Sequence, residues 1–176
     1  MPIYETENDV LVSLFEVVKA MLNYDENLIM IGRENATQDT FSKNYIVLDY
    51  LASAPQSKPK RYFDDKKEIE YWETRMAGTF TLEFYGEKCN KNHIDFINLI
   101  RCQESIEAQN KYEIVLFDPR NTNNLKQFTN SKTFDRYEVE VVIQYFIRSA
   151  IDRKRIDTAD INYLIGFNLL SNPHLI

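Results

Sequence analysis

The chain has 176 residues, 44% of them hydrophobic and 13% aromatic, with a net charge of −6 and a pI near 5.0. These values indicate a folded protein of one domain, residues 1–176 with a core over about 6–148. They exclude a chain-wide basic footprint for gripping DNA, and the four glycines leave little material for a phosphate-cradling loop.

Residues 6–22 read as an amphipathic helix. Thr6 is its cap, Glu7 and Asp9 suit the positive end of the dipole, and Val10, Leu14, Val17, Val18 and Met21 recur at helical spacing. "LIMIGRENA" is a short extended piece turning at Gly32, and "NYIVLDYLAS", 44–53, alternates as a strand. "APQSKPKRYFDDKK" reads as a basic loop projecting from a sheet corner, and its Lys58, Lys60 and Arg61 are candidate contacts for a partner or a phosphate backbone.

"YWETRMAGTFTLEFYG" follows, a strand that begins as early as residue 68 and ends at Gly86. Met76, Gly78, Phe80, Leu82 and Phe84 share its apolar face, while Arg75, Ala77, Thr79, Thr81, Glu83 and Tyr85 share a face expected to be polar and outward. Gly78 in the interior predicts a bulge or a close approach. Residues 87–102 read as one helix, "SIEAQNKY" as a further helical turn, and 112–119 as a strand stopped by Pro119. A polar stretch follows in which Leu125 and Phe128 anchor a short helix. "DRYEVEVVIQYFIRS" is a second long strand. Its residues Tyr137, Val139, Val141, Ile143, Tyr145 and Ile147 face one way. Residues 150–176 carry Phe167, Leu169, Leu170, Leu175 and Ile176. They form an arm or interface tail that docks either on its own sheet or on a neighbouring subunit. The order predicts an α+β fold, a mainly antiparallel sheet packed against two or three helices.

No spacing pattern carries catalysis. His93 and His174 are far apart and belong to no metal-ligand signature. Cys89 sits at an expected helix start, where a thiol pKa falls. Cys102 would lie roughly 19 Å along a continuous helix from it, too far for a disulfide. The carboxylate pairs Asp64–Asp65, Glu68/Glu70 and Glu138/Glu140 are expected to be solvated strand faces or turns. The Walker, dinucleotide and zincin motifs are missing. The sequence argues against an enzyme and for no cofactor and no metal. The opening residues Met1–Glu5 lack a signal peptide's charged and apolar regions, and no apolar run reaches the roughly 18 residues a membrane span needs.

The succession "GREN…NYIVLDY", Pro/Lys segment, "RMAGTFTLEFYGEKC", "FINLI", "FDRYEVEVVIQYF" resembles the neck or tail terminator proteins of long-tailed phages. The matching positions are Tyr45, Ile46 and Leu48; Arg75, Leu82, Tyr85 and Gly86; and Phe134, Arg136 and Tyr137, within roughly residues 28–148. Where that family usually has an Ala soon after Tyr-Gly, this chain has Cys89 and polar neighbours. The resemblance implies a homo-oligomeric ring, commonly a hexamer, that caps the tail and joins it to the head connector. Its partners would be connector or stopper proteins and tail tube or sheath proteins. Genomic DNA would pass through the lumen without specific binding. It also implies a place in the virion neck after assembly in the host cytoplasm, no membrane, and no catalytic residues. Lys58, Lys60 and Arg61 would then form an arm toward an adjoining ring. The alternatives are a head–tail stopper or tail completion protein, or a small α+β enzyme or ligand-binding domain.

Overall fold

A computed structural model describes residues 4–32, 44–125, 127–129 and 132–152. In chain order the elements are helix Glu7–Leu22 (α1), strands Ile29–Ile31 (β1), Ile46–Pro55 (β2), Lys60–Asp64 (β3) and Ile69–Tyr85 (β4), and helices Cys89–Leu99 (α2) and Gln103–Tyr112 (α3). Strands Val115–Leu116 (β5), Asn121–Asn124 (β6), Gln127–Thr129 (β7), Lys132–Phe134 (β8) and Arg136–Asp152 (β9) follow. Seven strands form the main sheet along the path β1-β2-β4-β9-β5, with β3 on β4 and β6 on β9; β7 and β8 pair separately. Among the described strand pairs only β1–β2 is parallel, and an isolated bridge joins Tyr4 to Ile147 in the same sense. This is the expected α+β fold with a mainly antiparallel sheet.

The sheet is built on the two long strands. β4 and β9 pair antiparallel without a break from Ile69↔Asp152 to Tyr85↔Arg136. Alternation sends Phe80, Leu82 and Phe84 of β4, and Val139, Val141, Ile143 and Tyr145 of β9, to one face, all fully buried. α1 covers that face with Val10, Leu11, Leu14, Val17, Val18 and Met21, while α2 adds Phe96. Each such side chain contributes about 1.5–3 kcal/mol by leaving water. Thr6 caps α1 as expected, and the Asp9 carboxylate accepts from the N–H groups of Glu5 (3.0 Å) and Thr6 (2.9 Å). At the far end Asn23 takes a left-handed φ of 46°.

Gly78 makes the close approach that its position predicts. A Cβ there would lie 2.7 Å from Phe80 Cε2 and 3.2 Å from Tyr145 Cε1. Its pairing with β9 is regular, and the register shift lies instead in β2, between Tyr50 and Ala52. Gly86, at φ 87°, supplies the left-handed residue that ends β4 and turns the chain toward α2.

Several local expectations are corrected. The basic "loop" is partly strand: β2 runs to Pro55, and after a connection at 56–59 β3 continues antiparallel along the same edge of β4. Pro55 ends β2 and Pro59 immediately precedes β3, so neither costs β3 a ladder bond. The β3–β4 turn is held by Asp64, whose carboxylate accepts from the N–H groups of Lys66 and Lys67 at 3.0 and 3.2 Å. Glu68 there has a φ of 55°. The expected helix 87–102 stops at Leu99, and residues 103–112 form the complete helix α3. The two cysteines are therefore not on one continuous helix, and both are free. The strand at 112–119 shrinks to Val115–Leu116, and the Leu125–Phe128 helix is replaced by β6, β7 and β8. Residues 150–152 extend β9, and the rest of the C-terminal segment, His174 included, lies outside the described residues.

The face of β4 predicted to be outward is half buried. Thr81, Glu83 and Tyr85 are almost wholly inaccessible, whereas Arg75 is exposed. Tyr85 hydroxyl donates to Glu83, whose carboxylate also accepts from Arg136 Nη2 at 2.5 Å. A buried carboxylate needs such partners, which is why these residues tolerate burial.

Candidate assembly surface

The hydrophobic core ends near Met76 and Ile147. Beyond them, β3, residues 69–75 of β4 and residues 146–152 of β9 form a three-stranded ribbon. Its sequence lacks the clean alternation of the core half, and several of its large apolar side chains are exposed. Phe63, Trp72 and Ile151 are 40%, 37% and 40% exposed, and all three lie on the face that carries Phe80 and Tyr145 further along.

Polar groups order this surface. Arg61 Nε sits 2.5 Å from Glu70 Oε1, and the Arg61 guanidinium lies 5.9 Å from the Trp72 ring centre. Arg61 is largely exposed while Glu70 is nearly inaccessible, so the pair anchors a solvated cation to a buried anion. Arg61, Phe63, Glu70 and Trp72 line a shallow depression of about 420 Å³. On the opposite face Tyr62 stacks on Tyr71 at 5.0 Å, Arg75 lies 5.8 Å from the Phe146 ring, and Arg148 Nη2 meets Glu73 at 2.6 Å.

The predicted contact residues are thus distributed differently from a loop. Lys58 lies in the β2–β3 connection and is exposed. Lys60, also exposed, pairs in register with Glu73 and points to the opposite face from Arg61. Arg61 is held against Glu70 and Trp72. Tyr62, Phe63, Trp72 and Ile151 are surface residues that the sequence reading does not single out; the run Lys60-Arg61-Tyr62-Phe63-Asp64 sets two cations before two aromatics and carries no period of two.

The remaining candidates are engaged within the subunit. Cys89 is buried at the start of α2, and burial pushes its thiol up from its ordinary value, opposite to the helix-start expectation. His93 is buried and stacked on Tyr137 with ring centres 4.1 Å apart, its Nδ1 3.2 Å from the Cys89 carbonyl oxygen. Glu140 accepts from Asn121 Nδ2 at 3.0 Å and Glu138 from Asn123 Nδ2 at 3.5 Å, so this carboxylate pair fixes β6 to β9. Among the described residues no group of three or more His, Cys, Asp or Glu side chains gathers to hold a metal ion. No helix among them is long and apolar enough to cross a membrane.

A comparison with curated proteins finds no match. The family described as phage neck terminator protein matches residues 12–166, a span that includes both long strands and the ribbon between them and the outside. The sheet and its helical cover accord with that match, and the chain belongs to the phage neck terminator protein family.

Proposed function

We propose that this chain is the subunit of a six-membered ring that closes the tail of a long-tailed phage and joins it to the head connector, with DNA passing through the lumen. The reading treats residues 1–176 as one domain. The family match over 12–166 supports it, and the observation that carries it on this chain is the ribbon. Four large apolar or aromatic side chains, Tyr62, Phe63, Trp72 and Ile151, stand exposed on ordered strands, which is the composition of a protein contact and not of a solvated edge. The acidic net charge of −6 suits a conduit to which a polyanion must not adhere.

Native mass spectrometry of the purified chain and of necks released from particles tests the ring. The expected species has six times the 20.9 kDa chain mass. A chain that is monomeric in both preparations rules the ring out. Lys58 and Lys60 serve as the contact toward an adjoining ring. Deleting residues 56–63 would remove most of β3, so charge reversal (Lys58→Glu with Lys60→Glu) is the appropriate test. It should lower head–tail joining in complementation while the unfolding midpoint stays unchanged, and normal joining would sink the contact.

A further inference from the structure

The ribbon has two edges, open among the described residues except where Tyr4 bridges β9 at Ile147, and the hydrogen-bond parity identifies which backbone groups they present. Along β9 the amides of Phe117, Arg120 and Leu125 reach the carbonyls of Val142, Glu140 and Arg136, and the Arg148 amide reaches the Tyr4 carbonyl at 3.1 Å. Even-numbered residues of β9 therefore face its outer edge, and beyond Arg148 these are Ala150 and Asp152. Along β4 the Arg75 carbonyl accepts from Gln56 and the Tyr85 amide reaches Tyr45, so odd-numbered residues of β4 face β2 and β3. Glu73, Tyr71 and Ile69 consequently bond Lys60, Tyr62 and Asp64, and the backbones of Arg61 and Phe63 point outward from β3. Among the described residues no strand pairs with either edge.

We infer that the β3 edge of one copy pairs with the β9 edge of the next copy, through the backbones of Arg61 and Phe63 on one side and Ala150 and Asp152 on the other. This rests on the ring reading above, and the occupant is a second copy of this chain. Three observations favour it. The edges lie on opposite sides of the same ribbon, so one contact repeated by rotation uses both and leaves neither open, as a closing heterologous interface requires. β3 and β9 are each antiparallel to β4 and hence parallel to each other, which is the relation that copies turned about an axis along the strands present. Phe63 and Ile151 flank the two edges on the same face, so joining them extends the apolar row of Phe63, Trp72 and Ile151 across the junction. Left unpaired, two such edges beside exposed aromatic residues would be an aggregation hazard.

Amide hydrogen exchange on the full chain, as monomer and as ring, tests this without assuming a register. The amides of Arg61, Phe63, Ala150 and Asp152 should exchange as solvent-open groups in the monomer and slow at least about tenfold on assembly. Ala150→Pro removes an outward N–H and no bond within the sheet, so it should keep the wild-type unfolding midpoint and weaken the ring at least about tenfold, while Ala150→Ser should change neither the midpoint nor the ring. A ring whose edge amides still exchange fast overturns the edge pairing and leaves the ring reading standing; failure to assemble anywhere overturns both. Edge amides already slow in the monomer and released by truncation after Asp152 would assign the edge to the chain's own C-terminal segment, which also overturns the inference.

Discussion

Replacing Gly78 by alanine should destabilise the protein, against the usual direction for a glycine within a strand. The position has no left-handed φ, so backbone strain is not the cause. The added Cβ would sit 2.7 Å from Phe80 Cε2 and 3.2 Å from Tyr145 Cε1, well inside the roughly 3.5–4.0 Å optimum for carbon pairs. Phe80 has little room to withdraw, because it is fully buried between Tyr50, 5.5 Å away, and Tyr145, 6.3 Å away. Overpacking of this kind costs about 1–3 kcal/mol. The reduced freedom of the unfolded chain returns about 0.5–1 kcal/mol. A net loss of about 1.5 kcal/mol at an m value near 2 kcal/mol/M lowers the urea midpoint by about 0.75 M, with m unchanged. Circular dichroism should follow the transition, since Trp72 reports the ribbon and not the core. Phe80→Leu in the same chain removes the clashing ring edge, so the two substitutions together should lose less than the sum of their separate effects. A Gly78→Ala protein as stable as the parent would refute the close-approach reasoning.

Three further outcomes follow from buried or capped polar groups. Gln109 accepts from the Leu116 amide at 2.8 Å and donates to the Ile100 carbonyl at 3.3 Å and to Ser105 Oγ at 3.0 Å; Gln109→Leu strands these partners and should cost about 1–3 kcal/mol by denaturant titration. Glu83→Ala leaves Arg136 without its nearest carboxylate in a mostly buried site and should cost about 3–5 kcal/mol, whereas a loss below about 1 kcal/mol would show the pair to be dispensable. The Asp9 carboxyl is held below its ordinary value chiefly by the Thr6 N–H. Its contribution is therefore complete above the unfolded-state value and lost as pH falls through the lower folded-state value. Asp9→Asn should lower stability by about 0.5–1 kcal/mol at neutral pH, at the low end for a cap because the group is largely solvated, and the difference should vanish in acid.

The parts of the fold legible in the sequence are those where one periodicity acts alone. α1 and the two 17-residue strands were readable because a single apolar stripe or alternation runs through each. β3 was hidden by Pro55 and Pro59, which look like loop residues but fall at strand ends. α3 was underestimated because its buried side of Ser105 and Gln109 is polar, and the helix docks through hydrogen bonds that no hydropathy pattern reveals. The burial of Glu83 was unreadable for a related reason. A glutamate alternating with Thr81 and Tyr85 looks solvated until Arg136, 53 residues away, is brought beside it. Lys58, Lys60 and Arg61 are legible as contacts through their charge, whereas Tyr62 and Phe63 beside them become recognisable as surface residues only once β3 is placed on β4 beyond the core.

The ribbon and the core depend on each other unequally. A three-stranded ribbon with exposed aromatic residues and two edges that no described strand pairs buries too little apolar surface to hold its shape alone. It is ordered because β4 and β9 run through it from the core without a register break over all 17 residues, a span of about 55 Å at roughly 3.3 Å per residue. The core, in turn, ends where Gly78, Phe80 and Tyr145 pack, so the ribbon's side chains are not consumed in stabilising the subunit. Substitutions at Phe63 or Ile151 should therefore leave the stability of the isolated chain nearly unchanged, while substitutions at Phe80 or Tyr145 should lower it by about 3–5 kcal/mol on truncation to alanine. That separation lets the exposed half of a long strand change its contacts without unfolding the half that anchors it, as a protein built to join other proteins requires.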